Sequence, residues 1–242
     1  MRKFTAVFVL LFVASLSLSA DIYVKSKSHT DSMTVMGQTT PASDIVMEQW
    51  IGDDVFAQVS ADQSMIINMK KNLMWIVNHK AKNYVETTLP LDIAKLLPPE
   101  AAAFAGMMKM SATVAEGSET KKIGQWNCKL YTMTMSMMGQ NITTKIWAST
   151  EVGFDTAAFN AKVMGNLIRG GGMMLDDSSV KEFAKIKGYQ IATETSGAIM
   201  GANMRSTTEV VEISKKSAPA GVYAPPSGYA KTANLSMDAL RK

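Results

Sequence analysis

Residues 131–144 read YTMTMSMMGQNITT. Met133, Met135 and Met137 alternate with Thr132, Thr134 and Ser136, which is the period of a β-strand and not of a helix. With Gly139-Gln140 as the central pair of a tight hairpin, glycine supplies the positive φ that such a loop demands. Met138 then faces Asn141. Met137 meets Ile142, Met135 meets Thr144, Met133 meets Ile146 and Tyr131 meets Ala148, all on one face. Thr132, Thr134 and Ser136 lie on the other face, against Trp147, Lys145 and Thr143. One side is apolar and soft and the other mostly hydroxyl-bearing, so the hairpin is half-buried with its methionines inward.

The same rhythm runs outward in both directions. IYVKSKS (22–28), MTVMG (33–37), IVMEQWIG (45–52), VFAQVS (55–60), SMIINM (64–69), LMWIVN (73–78) and NYVETT (83–88) are short alternating runs separated by turn residues. KMSATVAE (109–116), KKIG (121–124) and ITTKIWAST (142–150) follow, with YQIATETSGAIM (189–200) and NMRSTTEVVEIS (203–214) as final long strands. Helices are expected over 91–107, where Pro99 suits a first turn, and over 155–169, where Asp155 is an N-cap and Phe159, Val163 and Leu167 share a face. Another is expected from Asp177 or Ser178 to Gly188. VMGQTT (35–40), MMGQNI (137–142) and IMGANM (199–204) read as three hairpin tips of one kind. The pattern predicts a mainly β (α+β) fold with an antiparallel sheet of about ten strands and two or three helices.

Residues 1–20, MRKFTAVFVLLFVASLSLSA, have the basic start, apolar stretch and small-residue end of a secretory signal peptide. Cleavage is expected after Ser19 or Ala20, and the junction has no cysteine for lipid attachment. The expected organisation is a signal over 1–20, one β domain over 21–216 and a Pro-rich irregular tail over 217–242. A periplasmic or secreted location follows, with no transmembrane span once the signal is removed. The formal net charge is +4, part of it from Arg2 and Lys3, and no long run of like charge suggests nucleic acid. Cys128 is the only cysteine, so no disulfide forms within the chain, and it reads as a small buried hydrophobe.

Twenty methionines suit a surface that must accept varied apolar partners, because the side chain is flexible. They also suit drifting core filler, or soft ligands for Cu(I). Against copper, sulfurs at i and i+2 on a strand stand about 6.8 Å apart, and no histidine or cysteine pair has ligand spacing. His29 and His79 sit at a strand end and in a hairpin turn. No nucleophile motif or phosphate-binding glycine loop is present, and Gly170-Gly171-Gly172 follows a helix instead of opening one. No enzymatic activity, cofactor or resident metal is expected.

HTDSMTVMGQTTPASD, EQWIGDD, IVNHKAKNYVETTLP, IGQWNCKLY and IKGYQIATET together resemble a bacterial exported family, domain of unknown function 4412. That resemblance spans most of residues 22–214 and carries no catalytic residues. It implies, through likeness to the LolA/LolB lipoprotein carriers and receptors, a strongly curved antiparallel sheet or unclosed barrel whose concave face is covered by helices. The leading expectation is an exported binding protein for an acylated or otherwise hydrophobic ligand. Its wall would be Tyr131, Met133, Met135, Met137, Ile142 and Ile146, with Trp50 and Trp75 added from neighbouring strands and helices 91–107 and 155–169 as cover. A lipoprotein or other envelope protein is the partner class. The alternatives are an interaction module with a closed core and a Met-site Cu(I) binder. Lys, Glu and Thr on exposed strand faces disfavour a lipid-facing barrel.

Overall fold

The computed structural model of the protein describes residues 20–35, 37–98, 102, 110–137, 139–165, 175, 177–199 and 201–235. Residues 1–19 of the expected 1–20 signal, most of the second half of the expected 91–107 helix and the end of the expected 155–169 helix lie outside these residues.

Among the described residues fourteen strands form. They are β1 (Asp21–Thr30), β2 (Met33–Val35), β3 (Gln38–Thr40), β4 (Ser43–Ile51), β5 (Val55–Val59), β6 (Gln63–Asn68) and β7 (Leu73–Asn78). β8 (Asn83–Thr88), β9 (Met110–Ile123), β10 (Trp126–Met137), β11 (Gln140–Ser149), β12 (Tyr189–Ile199), β13 (Ala202–Lys216) and β14 (Ala230–Thr232) follow. Twelve make one sheet in the order β14-β8-β7-β6-β5-β4-β1-β13-β12-β11-β10-β9, and β2–β3 is a separate ribbon. The sheet is curved and unclosed, with two more strands than expected. One arises where the tail, expected to be mostly irregular, lays β14 parallel to β8. The expected strands at 109–116 and 121–124 are instead one. Gly117 joins them, because a side chain there would meet Leu130 O at 3.1 Å beside the β-bulge at Lys129/Tyr131.

Helix is scarcer than expected. The described part of 91–107 contains a 3₁₀ turn, Ile93–Leu96, and a helical Ala102 whose N–H donates to Pro98 O at 2.9 Å. Thr156–Phe159 is α-helical, capped by the Asp155 carboxylate accepting from Ala158 N–H at 2.9 Å. It continues as a π-helical turn over Asn160–Met164. Asp177–Phe183 is a short α-helix. The expectation of two or three helices covering one face is therefore corrected to short segments, each roofing its own patch.

Directly opposed residues share a face, which separates two sides of the sheet. Phe56, Ile67, Met74 and Val85 pack with Leu91, Leu96, Val163 and Leu235. Tyr23, Trp50, Ala57, Ile66, Trp75 and Val77 occupy the other side, where Ala218, Val222, Tyr223 and Tyr229 of the tail cover them. A third cluster joins Val24, Val210 and Ile191 to Trp126, Cys128, Leu130 and Trp147 around bulges that interrupt the alternation. Cys128 is buried as expected, at 2% exposure, and burial pushes its thiol pKa up.

The three Met-Gly echoes are hairpin tips. Val35 pairs with Gln38, Met137 with Gln140 and Ile199 with Ala202. Gly37, Gly139 and Gly201 have φ of 80°, 77° and 82°. Glycine is therefore the second residue of each two-residue loop, where it was expected to be the first.

Candidate functional site

That one-place difference moves the β10–β11 register by two. Met135 opposes Ile142, Met133 opposes Thr144 and Tyr131 opposes Ile146. The correction leaves the facing unchanged, because a two-residue slip returns every side chain to its side. On the far side of β10, Met135 opposes Ala112 and Met133 opposes Val114 of β9. Met133, Met135, Tyr131, Ile142 and Ile146 thus share one face with Ala112 and Val114.

Among the described residues, the short helix Asp177–Phe183 and the flanking Leu175 and Ile186 roof it. Leu175, Met110, Met135 and Phe183 pack around Ala112. Ile186 packs with Val114, Tyr131, Ile146 and Ala148, and Met133 lies against that group. Tyr131 and Ile146 are each 1% exposed, whereas Met110, Met133 and Met135 remain half-buried. The side chain of Met137 lies outside the described set.

The roof is pinned to the sheet edge by polar bonds. Ala112 N–H donates to Ser179 Oγ at 2.8 Å and Val114 N–H to Glu182 Oε2 at 2.8 Å. Residues 112 and 114 direct their amides to the same edge, and residues three apart on a helix stand on one face, so this pair matches the strand repeat. Bonds from Lys185 (2.6 Å) and from Val114 N–H hold the Glu182 carboxyl pKa below its usual range.

The face continues across the sheet as hydroxyls. Thr144 opposes Thr195, which opposes Ser206, which opposes Thr30. Ile146 opposes Thr193, then Thr208, then Ser28 in the next row. Thr144 and Thr195 join their hydroxyls at 3.0 Å, and Thr208 donates to Ser28 at 3.0 Å. The intervening Lys27, Glu194, Arg205, Thr207 and Glu209 are exposed on the opposite face. Sequence reasoning missed this belt. Its signal was the alternation of hydroxyls with charges in SKSHT, TETS and RSTTE, which single-strand reading leaves unconnected.

Trp50 and Trp75 do not join the methionine wall. Trp50 opposes Tyr23 on β1, whereas Ser28 and Thr30, an odd number of residues along the same strand, belong to the hydroxyl face. The Tyr23 and Trp50 rings pack at a tilt of 48° with centroids 4.6 Å apart, and burial with a hydrogen bond to Glu48 pushes the Tyr23 pKa up to about 12. Trp75 Nε1–H donates to Glu86 at 2.8 Å, and Lys231 of β14 donates to the same carboxylate at 2.7 Å. His79 meets Ser64 at 2.7 Å and Tyr229 at 3.3 Å, while His29 bridges Asp31 at 3.2 Å and Asp44 at 2.8 Å. These contacts link the strands and tail to one another.

An open depression of about 300 Å³ lies over the β9–β10 bulge and is lined by Glu116, Asn127, Lys129 and Lys187 among others. Cys128, Tyr131 and Ala148 also line it, so charged and apolar side chains mix there. Among the described residues no cluster of three or more His, Cys, Asp or Glu side chains forms. No helix among them is long and apolar enough to cross a membrane.

The class these features define is an unclosed, curved antiparallel sheet with a partly roofed methionine face. Residues 42–229 match the family described as domain of unknown function (DUF4412), and the chain belongs to that family. No curated protein matches. Two solved structures of PNGF-II, in space groups C2 and P21, align at 14% and 15% identity with TM-scores of 0.37 and 0.38. The alignments cover 90% and 86% of this chain but 32% and 31% of those chains, so this chain spans about a third of their length. Likeness at that level defines neither fold nor function.

Proposed function

We propose that the protein is an exported, non-enzymatic binding protein that takes an acylated or otherwise apolar ligand on the methionine face, beneath the Asp177–Phe183 helix. The observation that carries this reading is the half-burial of Met110, Met133 and Met135 beside fully buried Tyr131 and Ile146, under one short helix. Flexible thioethers re-pack around chains of different shape, and each buried CH₂ contributes roughly 0.8 kcal/mol. Leu175, Phe183 and Ile186 pack over this face, so a guest enters by displacing them. The neutral hydroxyl belt beside the wall suits the polar end of an amphiphile. Likeness to lipoprotein carriers belongs to this reading, as does delivery to the periplasm or exterior by the 1–20 signal.

The test is mass spectrometry of small molecules released from protein purified out of the periplasm, together with fluorescence titration using a lipophilic probe. Co-purifying lipid, and probe binding lost in Met133→Asp and Met135→Asp, are the expected results. No lipid and no probe binding would refute the reading. That outcome would favour a second one, an envelope interaction module with a closed core, which draws on the 1% exposure of Tyr131 and Ile146. Copper chemistry is tested by Cu(I) titration of the Met133, Met135 and Met137 to Leu variant, where unchanged affinity rejects that site.

A further inference from the structure

An exposed row of unpaired strand backbone invites pairing with another chain, and folded proteins usually cover it or charge it. Both ends of this sheet are treated in that way. β14 lies along β8 at one end. At the other, Ser179 and Glu182 occupy the β9 amides of Ala112 and Val114, and the rest of β9 carries Glu116, Glu119, Lys121 and Lys122.

A third edge lies inside the sheet. β4 pairs with β1 along its whole length, Ser43 to Ile51. It pairs with β5 only from Glu48 to Ile51, because the chain turns at Ser60–Gln63. Along Ser43–Met47 no strand among the described residues takes the second edge. The segment reads SDIVM, and Ile45 and Val46 are 42% and 46% exposed, among the most exposed large hydrophobics of the described chain. The β2–β3 ribbon contacts β13, on the other side of β1, and pairs with no strand of the large sheet.

We propose that this edge pairs with the same edge of a second copy of the chain, as an antiparallel two-fold dimer centred on Ile45. The occupant follows from length and charge. Five positions are open, so the one two-fold register that uses all five without running into Val59 places its axis at residue 45. Ile45 then faces Ile45 of the second copy, Asp44 faces Val46, and Ser43 faces Met47. No acid faces an acid, and Asp44 is already bound to His29. Like charges directly opposed, which would forbid self-pairing, are absent from this register. The contact is short, about 17 Å at roughly 3.4 Å per residue, so the dimer is reversible and concentration-dependent.

Symmetry gives the test. Only a residue on the axis meets itself, at a Cα separation of about 4.5–5.5 Å that a disulfide spans. Mature Ile45→Cys protein, under mild oxidant, is expected to form a covalent dimer. Val46→Cys, whose opposite number is Asp44, is expected to cross-link several-fold less, and the wild type, with Cys128 buried, not at all. Ile45→Lys is expected to shift sedimentation equilibrium toward monomer with an unchanged melting temperature. Equal cross-linking of Ile45→Cys and Val46→Cys would overturn the register. A wild type that stays monomeric at roughly millimolar concentration would overturn the dimer. Binding of lipophilic probes is read separately, so neither result bears on the ligand site.

Discussion

Ser179→Ala tests whether the roof over the methionine face is fixed by polar contacts to β9. Ser179 is 0% exposed and Ala112 is 2% exposed, and the bond from Ala112 N–H to Ser179 Oγ is 2.8 Å. Alanine removes the acceptor and leaves a buried amide without one. An orphaned buried donor costs about 1–3 kcal/mol. For a chain of this size, each kcal/mol lowers Tm by roughly 2–4 °C. Two-state urea unfolding of Ser179→Ala and wild type measures the loss, with Ser111→Ala, an exposed serine on β9 next to Ala112, as the control. Hydrogen exchange of the Ala112 amide is expected to accelerate more than exchange in β5–β7, because the roof opens before the sheet does. The same loosening is expected to speed lipophilic probe uptake. A Ser179→Ala protein within about 0.3 kcal/mol of wild type, well inside the surface-substitution range, would refute the reasoning.

Other outcomes follow from particular residues. Gly188→Ala places a Cβ 2.4 Å from Ser149 O at φ +96°, so a loss of at least about 2 kcal/mol is expected from strain and overlap. Gly139→Ala, with nothing within 4 Å of the new Cβ, is expected to lose about 1 kcal/mol from its φ alone, and equal losses at the two sites in urea melts would count against this. Trp147 Nε1 is buried with no hydrogen-bond partner among the described residues, so Trp147→Phe is expected to cost under about 1.5 kcal/mol, where Trp147→Ala costs about 3–5 kcal/mol. The bond to Asp44 raises the His29 pKa above 6.5. Its contribution is full below that value and fades as pH rises through the raised folded pKa. An NMR titration midpoint at or below 6.5 would contradict the pairing.

The strands were legible because alternation is a local signal. The facing of Met133, Met135, Tyr131, Ile142 and Ile146 survived a register error because the slip was two residues. What period two cannot carry is relation between distant strands. Trp50 and Trp75 look like neighbours of the methionine wall in sequence style, yet strand order and the parity of β1 place them on the other side. The hydroxyl belt was hidden for the same reason, since its members come from β1, β11, β12 and β13. The tail was opaque too. Tyr223, Tyr229 and Lys231 are scattered among prolines and glycines, and only the docked position reveals Asp21, His79 and Glu86 as their partners.

The seam of the sheet sets the order in which the molecule is completed. β1 sits between β4 and β13, so Asp21 is matched with Lys216 and Thr30 with Ser206. A chain emerging from its N-terminus therefore carries β1 half-partnered until nearly the whole sequence has appeared. Contacts of such long sequence separation make folding slow. The β4–β8 meander and the β9–β13 meander are each local, and they become one curved body only when β13 closes onto β1. A truncation that removes β13 would leave two unconnected pieces of sheet with raw borders, whatever happens to the wall of methionines.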